Sequence, residues 1–141
     1  MMQRVLLDTG PLVAMLNKHD PFYAWAKLQI DEISPPMFAC EGVLTEACFL
    51  LRRIPGGSEN VMGLIEKGVI ATPFRLAEHA AAVSSLMAKY SNIPMSLADA
   101  CLVRMSEIYD DRAVLTFDSD FKLYRKHGRQ VIPTLIPAAR R

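Results

Sequence analysis

Short runs of strand character alternate with longer helical segments along the whole chain, and this alternation restricts the fold more than any other feature of the sequence. Residues 4–7, Arg-Val-Leu-Leu, form a short apolar run that stops at Asp8 and the turn-forming Thr9-Gly10-Pro11, as a fully buried strand does. Residues 37–40, 69–72, 113–116 and 130–132 have the same character, the last ending at Pro133. Between them, apolar residues recur at three- and four-residue spacing. Pro11 suits a first helical turn and opens a helix with Leu12, Val13 and Leu16 on it, and a second spans residues 22–33 before Ser34-Pro35-Pro36. Residues 42–54, apolar over most of the circumference, predict a largely buried helix stopped by Pro55-Gly56-Gly57. Ser58 is the expected cap of a helix over residues 59–67, another helix covers residues 76–90, and Ser96-Leu97-Ala98-Asp99 fits a capping box opening a helix to about residue 108. A last short helix is expected over residues 119–126. The pattern predicts an α/β sandwich whose mostly parallel central sheet is flanked by helices.

A chain of 141 residues, 51% of them hydrophobic, suffices for one domain with its own core, so residues 1–141 are read as a single domain with a tail loose beyond about 137. Sixteen Lys and Arg against fifteen Asp and Glu leave a formal charge of +1, so no global field marks a polyanion or an anionic membrane as the partner, and any nucleic-acid role must rest on a local site. Cys40, Cys48 and Cys101 are odd in number, lack CxxC spacing and lie in apolar surroundings, which reads as buried thiols of a reducing compartment. No signal-peptide pattern or membrane-length apolar run occurs, and a cytoplasmic location is expected. His19, His79 and His127 are isolated and read as surface residues. Neither GxxxxGK[ST] nor GxGxxG occurs, which disfavours a nucleotide-dependent activity.

Four acids stand where a parallel α/β sheet assembles its sites, outside the carboxyl ends of the strands, or where an acid is out of keeping with its neighbours. Asp8 follows the first strand, and Asp118 comes two residues after the strand that ends at Thr116. Asp99 lies in a first helical turn, and Glu46 sits among Val43, Leu44, Ala47, Cys48, Phe49, Leu50 and Leu51. Each has a purely structural reading: Asp8 as a helix cap, Asp118 as an Asx-turn or cap, Asp99 as the third residue of the Ser96 box, Glu46 as a partner of Arg53 seven residues on. If all four converge, their repulsion and desolvation call for a cation, and a hard divalent ion is the economical answer.

The segments Leu6-Leu7-Asp8-Thr9-Gly10-Pro11-Leu12-Val13-Ala14, Leu44-Thr45-Glu46-Ala47, Ser96-Leu97-Ala98-Asp99-Ala100 and Leu115-Thr116-Phe117-Asp118-Ser119-Asp120-Phe121 resemble, in order and approximate spacing, the four acidic motifs of PIN-domain proteins, especially the VapC-like ribonuclease toxins. The resemblance runs over nearly the whole chain. It implies a metal-dependent RNA endonuclease, often dimeric and often inhibited by a small antitoxin, with Asp8, Glu46, Asp99 and Asp118 in one pocket holding Mg²⁺ or Mn²⁺. Carried onto these positions, Asp8, Asp99 and Asp118 are metal ligands, directly or through water, and Glu46 positions or activates the attacking water. Thr116 and Asp120 take supporting roles, with Asp118 and Asp120 interchangeable as the fourth acid.

An acidic pocket repels RNA, so basic residues are needed around it. Lys122, Arg125 and Arg53 are the foremost candidates, with Arg52, Arg104, Lys126 and Arg129 behind them. Phe22, Trp25, Leu28, Leu64 and Ile65 exceed what one small sheet covers and suggest a homodimer or an antitoxin groove. Two rival readings stand beside this one. A phosphoaspartate or receiver-type domain fits poorly, because Gly10 stands where a second acid would follow Asp8. A PIN-like module that binds RNA or protein without cutting it would be expected to have lost one of the acids, and all four are present.

Overall fold

The computed structural model describes residues 2–138. Strand β1 (Val5–Leu7) leads into helix α1 (Thr9–Leu16) and, after a turn, α2 (Tyr23–Asp31). Strand β2 (Met37–Phe38), the paired helices α3 (Glu41–Leu50) and α4 (Gly57–Glu66), and strand β3 (Ile70–Ala71) follow. Helices α5 (Leu76–Lys89) and α6 (Leu97–Ile108) precede β4 (Ala113–Leu115), a 3₁₀ turn over Ser119–Lys122, the hairpin β5 (Arg125–Lys126) and β6 (Gln130–Val131), and β7 (Thr134–Leu135). The central sheet has the order β3-β2-β1-β4-β7, with every pairing parallel. The expected α/β architecture is therefore the observed one.

Val5, Leu6 and Leu7 are completely buried, as are Val114 and Leu115 of β4, which explains why these two strands read as continuous apolar runs rather than alternating ones. They pair in register, Val5 with Ala113 and Leu7 with Leu115. Chain order reverses between them: β2 and β3 extend the sheet to one side of β1, β4 and β7 to the other. Such a switch point opens a crevice outside the carboxyl ends of the two strands. Asp8 and Thr116 are the first residues beyond those ends, and the Asp8 amide still donates to the Leu115 carbonyl (3.0 Å).

At the opposite, amino end of the sheet, Arg112 donates to the carbonyls of Val5 (3.0 Å) and Pro36 (2.9 Å) and lies over the Phe38 ring, 3.4 Å from its centroid. This buried cation closes the base of β1 and β2, away from the acids.

Several expectations are corrected. Helix α3 is not largely buried: only Val43, Leu44 and Ala47 of it face the core, while Glu46, Phe49 and Leu50 are exposed. Cys48, correspondingly, is only half-buried. The cap of α4 is Gly56 rather than Ser58. Gly56 takes φ +71°, and a Cβ on Gly57 would stand 2.4 Å from the Leu51 carbonyl oxygen, so the Pro-Gly-Gly stop lets α4 fold back tightly against the end of α3. The short helix expected over residues 119–126 is a 3₁₀ turn followed by the first strand of a hairpin, and residues 130–131 complete that hairpin instead of joining the main sheet. Strand β7 takes the edge position beside β4. Phe22 and Trp25 pack against Phe117, with ring centroids 4.7 and 5.7 Å away, so these two aromatics are used within the chain. His79 is half-buried, stacked on Phe74 and accepting from Arg104 (3.2 Å). The tail expected to be loose beyond residue 137 falls almost wholly outside the described residues.

Candidate functional site

Asp8 leaves β1 in extended geometry and caps α1: its Oδ1 accepts from the Thr9 amide (2.8 Å), while Oδ2 accepts from the Thr116 hydroxyl (2.6 Å). The same Thr116 oxygen accepts from the Asp118 amide (2.9 Å), and Asp118 Oδ1 accepts from the Asp120 amide (2.9 Å). One chain of hydrogen bonds thus runs from the end of β1 across the end of β4 into the 3₁₀ turn, and Thr116 at its centre is fully buried. On the other wall, the Thr9 hydroxyl donates to Glu46 Oε1 on α3 (2.9 Å). The Ser96 capping box is present as expected, the Asp99 amide donating to Ser96 Oγ (3.0 Å) and the Ser96 amide to Asp99 Oδ2 (3.0 Å).

All four acids therefore have the local structural uses that their sequence settings suggested, except that Glu46 is held by Thr9 rather than by Arg53. They nevertheless share one place. Asp8, Glu46, Asp99, Asp118 and Asp120 line a single cleft of about 680 Å³ together with Thr9, Gly10, Leu50, Ser96, Phe117 and Ser119. Five carboxylates and no basic side chain form this lining. The electrostatics follow from that. Burial first, then the charges of Asp99 and Asp118, push the Asp8 carboxyl up to about 6 from its ordinary 3.8, against the pull of its bonds from Thr116 and Thr9. Asp99 is also raised, by burial and then by Asp118 and Glu46, while its bonds to Ser96 oppose the shift. The Asp118 charge is among the causes that raise both of these acids.

The donor set is all oxygen, which suits Mg²⁺ or Mn²⁺ and not a soft metal. Among the described residues no three acid, imidazole or thiolate side chains stand close enough to hold one ion directly. An ion here would bind to one or two carboxylates with water bridging to the rest, the habit of Mg²⁺ in particular.

The basic candidates are distributed unevenly. Lys122 is exposed at the end of the 3₁₀ turn that carries Asp120. Arg125 spends one guanidinium nitrogen on the carbonyls of Lys122 (2.7 Å), Leu123 (3.1 Å) and Tyr124 (3.1 Å). Lys126 is buried and paired with Asp110 (2.8 Å), and Arg104 is engaged with Glu107 (2.9 Å) as well as His79, so neither is available as a free rim cation. Arg53 lies with Arg52 in a second hollow between α3 and α4.

Sequence reasoning missed Thr9 and Phe117. Thr9 was legible only as part of a turn, although a hydroxyl beside a strand-end acid is the signal that finds it. Phe117 lines the cleft, and a Cβ on Gly10 would stand 2.7 Å from its ring, so a larger residue at position 10 would force the ring to move.

The PIN domain family model matches residues 5–127. Among solved structures, the chain is similar to Mycobacterium tuberculosis VapC20, described as a sarcin-ricin loop cleaving toxin. The TM-score is 0.76 at 20% identity, with 92% of this chain and 99% of that one covered. No curated protein matches.

Proposed function

The chain belongs to the PIN domain family, and from that premise we propose that it is a divalent-metal-dependent endoribonuclease, the toxin of a toxin–antitoxin pair, that hydrolyses RNA phosphodiester bonds in the acidic cleft. The observation that carries this reading is the convergence of Asp8, Glu46, Asp99 and Asp118 from four separate elements on one cleft whose lining holds no basic side chain. Structural caps and turns alone do not require acids to be gathered at the switch point of the sheet, where their mutual repulsion destabilises the fold. The description of VapC20 as a sarcin-ricin loop cleaving toxin supports RNA as the substrate class. A small antitoxin and a homodimer belong to the same reading.

A bound Mg²⁺ or Mn²⁺ would neutralise the carboxylates, draw in the scissile phosphate and acidify a water. Asp8, Asp99 and Asp118 are the residues that would hold it. Asp8 is fixed for that task by Thr9 and Thr116, and Asp99 by Ser96, so their carboxylates arrive already oriented. Glu46 stands on the exposed face of α3 with one oxygen held by the Thr9 hydroxyl, leaving the other to orient and deprotonate the attacking water. Thr116 and Asp120 act as supports, Thr116 by joining Asp8 to the Asp118 backbone and Asp120 by extending the acidic wall. Lys122 is the best-placed cation for the RNA backbone, with Arg125 and Arg53 as further contacts.

Calorimetric titration with Mg²⁺ or Mn²⁺ of the wild type, Asp8→Asn and Asp99→Asn, with RNA cleavage followed on the same samples, tests the reading. Joint loss of ion binding and cleavage in both variants is the expected result. Absence of divalent binding by the wild type, even with RNA present, would return these acids to caps and turns and leave a PIN-like module that binds RNA or protein without cutting it.

A further inference from the structure

Helix α3 carries an apolar surface that the core does not use. Phe49 is 59% exposed and Leu50 is 50% exposed, and both lie one turn beyond Glu46, at i+3 and i+4, on the same face of the helix. Leu50 itself lines the acidic cleft, and Phe49 is the residue before it on the helix. The Arg52 guanidinium lies over the Phe49 ring, 4.0 Å from the centroid, and is fixed there by a bond from Nη1 to the Phe49 carbonyl (2.8 Å). Beyond it, Arg52 and Arg53 open into a hollow of about 390 Å³ leading to the start of α4, in which the one acid is Glu59. Among the described residues neither arginine has a carboxylate within ion-pair distance.

We infer that Phe49 with Arg52 is a stacking platform for an unpaired base of single-stranded RNA, with Arg52 and Arg53 taking the adjoining phosphates of the strand whose scissile bond lies in the cleft. This rests on the ribonuclease reading and adds to it a base-binding subsite on α3. An aromatic ring and a guanidinium plane are the two surfaces that accept a splayed-out base irrespective of its identity, and a base inside an RNA duplex cannot reach them. Charge decides between RNA and a protein as the occupant. Arg52 over the ring and Arg53 in the adjoining hollow, neither with a carboxylate at ion-pair distance, match a polyanion, and the strand's negative charge needs a positive foothold next to five carboxylates.

The test is fluorescence anisotropy of a labelled ten-nucleotide single-stranded RNA, with Ca²⁺ in place of Mg²⁺, on the full chain, Phe49→Ala, Phe49→Trp and the double variant Arg52→Ala/Arg53→Ala. Because Phe49 is exposed, its substitutions leave the core intact. Phe49→Ala is expected to weaken binding about tenfold with an unchanged salt slope, and Phe49→Trp to retain it. The double arginine variant is expected to lower the slope of log K against log salt by about 1.4. Equal affinity of Phe49→Ala and wild type would overturn the platform while leaving the nuclease reading intact. So would a change in sedimentation of Phe49→Ala without a change in RNA affinity, which would assign the ring to a protein contact. A wild type that neither binds nor cleaves RNA would sink both.

Discussion

The Thr116 hydroxyl serves two partners with one oxygen, donating to Asp8 and accepting from the Asp118 amide, in a fully buried position. Valine has the same shape and neither capability. Thr116→Val takes a donor from the Asp8 carboxylate and an acceptor from the Asp118 amide, which costs about 1–3 kcal/mol. It also unties Asp8 from the loop that carries Asp118. The expected outcome is a lower Tm in thermal unfolding together with a loss of RNA cleavage larger than the fraction unfolded explains, and Thr116→Ser, which keeps the hydroxyl, should recover both. At this scale the sequence was legible where a residue's chemistry is unusual for its place. Asp8 after a buried run and Asp99 in a Ser-capped turn could be picked out, and both line the cleft. Glu46 was picked out for a wrong reason, because apolar neighbours suggested burial. The surface of α3 shows why: Phe49 and Leu50 are apolar residues left exposed, and hydrophobicity alone does not reveal which face of a helix finds a partner.

Elements were legible in proportion to their own signals. Strands β1 and β4 announced themselves by uninterrupted apolar runs, and α6 by its capping box. Strand β7 has two residues, follows Pro133 directly and owes its existence to pairing with β4, a partner nineteen or more positions away in sequence that local pattern cannot display. The hairpin of β5 and β6 depends on His127 at φ +53° and Gly128 at φ +84°, and the Gly at 128 was the available clue. The capping box makes a separable prediction for the site. Ser96→Ala removes the side-chain acceptor for the Asp99 amide, which should cost about 1 kcal/mol of stability. If that cap also orients the Asp99 carboxylate, divalent affinity measured by calorimetry should fall as well, whereas a cap serving helix stability alone would leave the affinity unchanged.

For the molecule as a whole, the cleft sets the charges it gathers against the stability of the fold. Asp8, raised to about 6, and Asp99, raised in the same direction, both bind protons more tightly folded than unfolded. Their contribution to stability is therefore fully present below the ordinary carboxyl pKa and is lost as pH rises through the folded value. For Asp8 the loss by neutral pH amounts to at most about 3 kcal/mol. In chelator, Tm should accordingly fall between pH 4 and pH 7, as a flattened profile in Asp8→Asn would verify. A divalent ion binds the ionised cleft and the folded state, so at neutral pH it should restore what ionisation removed, by about 2.7 kcal/mol at a hundredfold excess over Kd. The same ion at low pH competes with protons for the carboxylates and should raise Tm little. Differential scanning calorimetry across this range, with Mg²⁺ or with chelator, reads the outcome directly: a metal-induced rise in Tm as large at pH 4.5 as at pH 7 would mean that the ion binds somewhere other than this group of acids.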